Sequence, residues 1–372
     1  MRGLRPMGLL LVWALVGGFM ASALPAQRAT VTYRDRRGKE HTDKGTITSW
    51  TFKGMTFRLG RAEKDIESDN VIDVQFYRAP DVFKEARSAF RNGEYNDVLD
   101  IIGSDERTLK RSEAWAKEYL AYWRWRALKA LNQTDEAKSV AADFVKTYPQ
   151  SHFLPEFELE KARHAWVLGR WGDAEKAYRD FLRHGKSKGY ARKYLVEAGI
   201  GRIRCLLAQK EVSTAQGLLG EVKALSGTPD QSQRVSVVEG EILLAEGKTS
   251  QAKSLFENLL ETGDVDRAPL VIAEASNGLG ECYMVAKDWE GAAYAFCRTF
   301  ALFDETPGLE EPVGWALWRF STAANRLAEA AKDDATKKLW RSRYIQNRER
   351  AASDFPMTRG GQEALKAMGL GR

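Results

Sequence analysis

The stretch Gly169-Arg170-Trp171-Gly172-Asp173-Ala174 sets the reading of this chain, because its pattern returns five more times. A small or polar residue opens each copy, an aromatic or polar residue stands two places on, and a small residue follows three places later. The copies are Gly93-Glu94-Tyr95 to Val98, Asn132-Gln133-Thr134 to Ala137, Gly169-Arg170-Trp171 to Ala174, Lys210-Glu211-Val212 to Ala215, Gly247-Lys248-Thr249 to Ala252 and Lys287-Asp288-Trp289 to Ala292. Their last residues lie 39, 37, 41, 37 and 40 positions apart. A period in that range marks stacked supersecondary units, each unable to bury its apolar face alone. Four residues after each small one, a helical turn further on the same face, stand Ile102, Ala141, Tyr178, Leu219, Phe256 and Phe296. All but Ala141 are large, so the second half of each unit reads as an amphipathic helix packed on the first.

Tyr148-Pro149-Gln150-Ser151 and Phe355-Pro356-Met357-Thr358 read as helix ends, since proline cannot continue a helix interior. Together these features resemble the tetratricopeptide repeat, whose strict period is about 34. The resemblance covers about Ala79 to Arg372, with six units and a degenerate seventh from Pro312 to Phe355. Small residues occupy the close-packing position of the first helix at Ala86, Ala162, Gly240 and Gly280, while Trp125 and Ile203 depart from the pattern. Ser226-Gly227-Thr228-Pro229-Asp230 is a connection between two hairpins rather than an interdomain linker.

Between Thr30 and Tyr77 the period changes to alternating β-branched and aromatic residues, as in Gly45-Thr46-Ile47-Thr48-Ser49-Trp50 and Met55-Thr56-Phe57-Arg58-Leu59. Turns at Arg37-Gly38-Lys39, Lys53-Gly54 and Leu59-Gly60-Arg61 divide four or five strands, which predict a small curled barrel. The layout resembles Sm-like or SH3-like barrels. Before it, Arg2 and Arg5 precede an apolar run from Met7 to Met20 and then Ala21-Ser22-Ala23, the order of a secretory signal. The expected division is 1–23 signal peptide, 29–78 β-domain, 79–356 repeat array and 357–372 C-terminal cap. The fold class is thus mostly α, an αα-hairpin superhelix preceded by a small all-β domain.

The resemblance implies that first helices line a concave groove. Arg87, Arg126, Arg163 and Arg204, then Glu241 and Glu281, follow the close-packing site at the same register and are candidate groove residues, with Tyr122 and Trp166 as aromatic anchors. Four arginines followed by two glutamates would divide the groove into a basic and an acidic half, the basic half suited to carboxylates. The bland alternative is that Glu156, Glu197 and Glu274 neutralise the arginines within the array. Of the other aromatics, Phe83, Tyr119, Trp123 and Trp125 read as core between hairpins, and Trp315, Trp318 and Trp340 as packing of the terminal cap.

The 372 residues are 44% hydrophobic and 29% charged, enough for a sizeable core. Net charge is +6, or about +4 once Arg2 and Arg5 are removed (6 − 2), too mild to imply nucleic acid. Cys205, Cys282 and Cys297 are too few for a disulfide framework and read as buried hydrophobes; a Cys282 to Cys297 bridge is the oxidising-compartment alternative. His41, His152, His164 and His184 lie far apart without metal or acid–base spacing. Gly185-Lys186-Ser187 has Asp180 where a phosphate loop needs glycine, no Gly-x-Ser-x-Gly elbow exists, and Glu310-Glu311 and Asp333-Asp334 read as solvent faces. The expectation is a non-enzymatic, cofactor-free adaptor of the periplasm or envelope, binding a protein or acidic peptide. It resembles exported tetratricopeptide proteins that coordinate envelope assembly or division. A glycan-binding role, or a self-assembling homo-oligomer, is the alternative. An uncleaved signal would tether the chain to the membrane.

Overall fold

The computed structural model describes residues 27–35, 38–104 and 113–370. The signal-peptide reading of residues 1–23 lies outside them.

Five strands come first: β1 (Gln27–Arg34), β2 (Glu40–Thr51), β3 (Gly54–Leu59), β4 (Ala62–Glu67) and, after a single 3-10 turn at Ser68–Asn70, β5 (Val71–Phe76). They form one antiparallel sheet in the order β4-β3-β2-β1-β5. Alternation puts Ala29, Val31, Tyr33, Ile47, Met55, Phe57, Ile66 and Val74 into one buried cluster. Gly45 is required where β2 crosses this core, because a Cβ there would lie 2.4 Å from the Arg58 carbonyl oxygen.

The sheet is open and not the closed barrel expected from its size; β4 and β5 are its edges. A closed barrel is one way to shelter a small sheet, but here the helices shelter it. Phe76 stacks on Trp115 at 4.0 Å, Trp50 stacks on His152 at 3.9 Å, and Phe52 meets Tyr190 edge-on at 5.0 Å. Asp69 of the 3-10 turn accepts hydrogen bonds from the backbone N–H groups of Arg192 (2.7 Å) and Lys193 (2.8 Å), capping a helix more than a hundred residues away. The sheet therefore lies along the edge formed by the starts of successive first helices.

The helices pair in order: α1 (Asp81–Arg91) with α2 (Tyr95–Ser104), α3 (Ala114–Ala130) with α4 (Thr134–Thr147), α5 (Leu154–Val167) with α6 (Trp171–Lys188), α7 (Arg192–Ala208) with α8 (Val212–Leu225), α9 (Pro229–Ala245) with α10 (Thr249–Thr262), α11 (Pro269–Ala286) with α12 (Trp289–Phe303), and α13 (Glu310–Ala330) with α14 (Asp334–Asp354). A last helix, α15 (Arg359–Ala367), packs on α13 and α14.

The physical reason for the sequence signature is a shared backbone turn. Gly93, Asn132, Gly169, Lys210, Gly247 and Lys287, the opening residues of the six copies, all have positive φ between 59° and 79°. In each, the next residue's N–H reaches back to the carbonyl five positions earlier, as in Arg170 to Ala165 (3.0 Å) and Lys248 to Leu243 (2.9 Å). This is the left-handed closure of a helix C-terminus.

Small residues on the first helices let rings of the second helices fill the joints between units. The Phe256 ring lies so close to Gly240 and Gly278 that a Cβ on either would fall within 2.5 Å of it. Phe296 against Gly280 and Tyr178 against Gly201 repeat the arrangement. The departure at Trp125 has a local compensation. Its own unit carries Ala141 where the others have a large residue, and Trp125 joins the same cluster, its ring 4.2 Å from Phe157.

Candidate functional site

The first helices α3, α5, α7, α9 and α11 face a cavity of about 410 Å³, lined by Arg126, Glu156, Arg163, Glu197, Arg204, Arg234 and Glu274 among others. The start of α13 (Glu310, Glu311) and the segment from Asp354 to Thr358 close the opposite wall. An adjoining cavity of about 370 Å³ is lined by Leu207, Ala208, Leu244, Pro312 and Trp315, and shares Trp166, Arg204, Glu274 and Glu311 with the first. The array thus curves until its last unit meets its first: the Tyr95 hydroxyl donates to Glu310 at 3.3 Å.

Six of the eight sequence-predicted groove residues line these cavities: Arg126, Arg163, Trp166 and Arg204 in the first, and Glu241 and Glu281 in the second, which Trp166 and Arg204 also reach. Arg87 is elsewhere; its guanidinium donates to Asp73 of β5 at 2.8 Å and helps hold sheet to array. Tyr122 is buried, stacked on Phe153 at 3.9 Å, with its hydroxyl donating to Glu156 at 2.9 Å.

The arginines do not stand as a free basic half. Arg126 donates to Glu156 (3.0 Å), and Arg163 donates twice to Glu197 (2.6 and 2.8 Å). Arg204 donates to both Glu241 (2.8 Å) and Glu274 (2.9 Å), and Arg319 closes on Glu281. Each link joins a first helix to another first helix. The ladder therefore fixes the angle between successive units, a matter of register more than of net stability, because burying both charges offsets most of their attraction. Burial pushes Glu156 and Glu274 up, but the arginines beside them outweigh it and hold both carboxyls below the usual range.

Some groups remain unmatched. Nε of Arg234 and Oε2 of Glu274 are buried without a hydrogen-bond partner, and so is Nε of Arg359. Arg359 lies among three rings, its guanidinium carbon 4.1 Å from the centre of Trp315, 5.2 Å from Trp166 and 5.3 Å from Trp171. Burial lowers its pKa, and burial raises that of Glu311, which accepts the Arg359 backbone N–H at 3.0 Å.

No metal or nucleophile constellation accompanies the cavity among the described residues: no group of three or more His, Cys, Asp or Glu could hold an ion. His164 lines the cavity, His41 pairs with Asp35 at 2.9 Å, His184 lies near Glu158, and His152 is sandwiched beneath Trp50. The three cysteines are free thiols. No helix of the described residues is long and apolar enough to cross a membrane.

The fold and its concave, charge-laddered cavity define a closed superhelix of helical hairpins. The family description "Tetratricopeptide repeat" matches residues 126–151, 159–215 and 237–309. The hairpins in those ranges are tetratricopeptide repeats. No curated protein matches the chain. Among solved structures, it is similar to a Rap protein complexed with Competence and Sporulation Factor at 12% identity and TM-score 0.47, covering 73% of this chain and 77% of that one. NprR in complex with its cognate peptide NprX follows at 12% identity and TM-score 0.36, covering 78% and 88%. A human IFIT1 dimer with m7Gppp-AAAA gives 12% identity and TM-score 0.38, covering 79% and 66%. At these scores the likenesses carry no functional inference.

Sequence reasoning missed Arg234 and Arg359, took Trp171 only as part of a repeat turn, and read Glu310 and Glu311 as solvent faces, whereas both are half-buried in the cavity wall and Glu311 accepts the Arg359 N–H. Their neighbourhood depends on rotation accumulated over seven hairpins, which no local spacing encodes.

Proposed function

We propose that the protein is an exported scaffold that binds a protein or peptide segment in the concave cavity of its repeat array. The observation that supports this most is the pairing of an apolar recess (Leu207, Ala208, Leu244, Trp315) with buried, unmatched polar atoms on Arg234 and Glu274. Apolar walls supply affinity, and a few unsatisfied polar groups supply orientation. Because Arg126, Arg163 and Arg204 are already engaged by glutamates, the partner needs few acidic residues; a single carboxylate directed at Arg234 fits better than a run of them. Export rests on the charges and apolar run of residues 1–23, and mass measurement of the mature N-terminus in the envelope fraction tests it.

The binding surface is tested by capture of partners on the tagged protein carrying L207E and L244E, beside one carrying Y294E on the exposed face of α12. Loss of a partner with the first and retention with the second is the expected pattern. Retention with both, in a folded protein, would move the site to the sheet or the outer face.

A further inference from the structure

We propose that the three-tryptophan cage of Trp166, Trp171 and Trp315 is a guanidinium site, filled in cis by Arg359, and that an arginine side chain of the bound partner takes it over. The inference deepens the reading of the concave face as a binding surface by naming one side chain the partner supplies and the contact it must displace.

The cage is assembled from distant parts of the chain: Trp166 ends α5, Trp171 begins α6, and Trp315 stands on the first turns of α13. Trp166 and Trp171 lie 4.8 Å apart at 56°, an open angle into which the Arg359 guanidinium enters while Trp315 covers it at 4.1 Å. Trp315 is itself fixed by its indole N–H, which donates to Glu281 at 3.2 Å. All four residues are half-buried, and Trp166, Trp315 and Arg359 line the second cavity, so the site opens toward it. Rings around a planar cation are the arrangement that recognises arginine by its face, without a carboxylate.

Arg359 is held by those rings and by little else. Its Nε is buried with no hydrogen-bond partner. The carboxylates that reach it electrostatically, Glu311, Glu281 and Glu363, are each committed: Glu311 to the Arg359 backbone, Glu281 to Arg319, and Glu363 to Lys366. Burying Nε without an acceptor is costly, so this occupant is one that a better-matched arginine can replace.

The body of α15 is anchored separately. Gly360 lies against Gly314 of α13 so closely that a Cβ would meet its carbonyl oxygen at 2.0 Å, and Thr358 caps α15 through the Gly361 N–H at 3.0 Å. Withdrawal of Arg359 therefore leaves the cap docked on α13 and α14 while releasing a tie between α5–α6 and the C-terminal unit.

Chemical rescue on the isolated full-length protein tests the site without any partner. R359A vacates the cage but keeps the backbone, and propylguanidinium is the probe, with butylammonium as the non-planar control. Tryptophan emission should change in R359A and return toward the native spectrum as propylguanidinium saturates the site. Removing one ring in R359A/W315A should weaken that half-saturation by about fivefold to tenfold. The conservative variant R359M, which keeps the stem, guards against loss of fold and is checked by unchanged helicity. An emission response in R359A no different from that of R359A/W315A, or a response to butylammonium equal to that of propylguanidinium, would overturn the proposal. Failure of the partner-binding reading would leave this titration unaffected, so the two are separable.

Discussion

Replacing Arg204 by methionine removes the densest node of the ladder, and its consequences can be worked from the geometry. Arg204 makes three N–H contacts to Glu241 at 2.8 to 3.2 Å and one to Glu274 at 2.9 Å. The side chains are 23%, 27% and 11% exposed respectively, so Glu241 recovers some hydration on losing its partner whereas Glu274 does not. Oε2 of Glu274 already lacks a partner. Breaking a buried pair costs about 3–5 kcal/mol, and the partial exposure of Glu241 places this case near 3 kcal/mol. The loss carries a pH signature. In the native protein Glu274 is held below its ordinary value of 4.5, so it contributes stability that is present above that pH and lost as pH falls through the lower folded value. Without Arg204 burial dominates, the carboxyl keeps its proton to higher pH when folded than when unfolded, and the variant's deficit grows as pH rises. Urea unfolding of R204M at pH 5 and pH 8 should show the larger deficit at pH 8, and E274Q in the same background should recover part of it. A deficit below about 1 kcal/mol, or one equal at both pH values, would refute the ladder as a buried network.

G278A places a Cβ 2.4 Å from the Phe256 ring and should destabilise by about 1–2 kcal/mol net of helix propensity, with F256L restoring part of the loss; an unchanged urea midpoint would contradict the packing described. Burial raises the Glu118 carboxyl from 4.5 to about 7, so the native state holds that proton longer and stability falls as pH rises through this window; E118Q should stabilise at pH 8 by about 1–3 kcal/mol and have little effect at pH 4. Burial also pushes the Cys205 thiol up to about 12 and Cys282 to about 11, so a thiol reagent at pH 8 should modify half-buried Cys297 first, and faster labelling of Cys205 in the folded protein would count against this. D69A removes the acceptor of two backbone N–H groups at the start of α7 and should loosen the sheet from the array at a cost of about 1–2 kcal/mol, seen as faster hydrogen exchange at Arg192 and Lys193.

The repeats were legible because each unit carries its own turn. Gly169, Asn132 and Lys210 mark left-handed closures that any copy must solve locally, and Phe256 or Tyr178 four residues after a small one reports the joint. The strands were equally legible, since Val31, Ile47 and Phe57 alternate with polar neighbours. Closure of the sheet was not, because Trp50, Phe52 and Phe76 look in sequence like any strand aromatics, and only the fold shows that they cover helix starts. For the cavity, register placed Arg126, Arg163 and Arg204 on one wall, but the pairing of each with a glutamate thirty or more residues away decides their chemistry. Arg87 kept the same register and still turned to Asp73, because in the first unit the neighbour on that side is the sheet.

The central claim is that the partner lies in the concave cavity. The most direct measurement places a photo-crosslinking p-benzoylphenylalanine at Leu244, inside the apolar recess, and in a second protein at Tyr294, which is 78% exposed on α12. A discrete adduct from the Leu244 position and none from Tyr294 is the predicted result; an adduct from Tyr294 with none from Leu244 would contradict it.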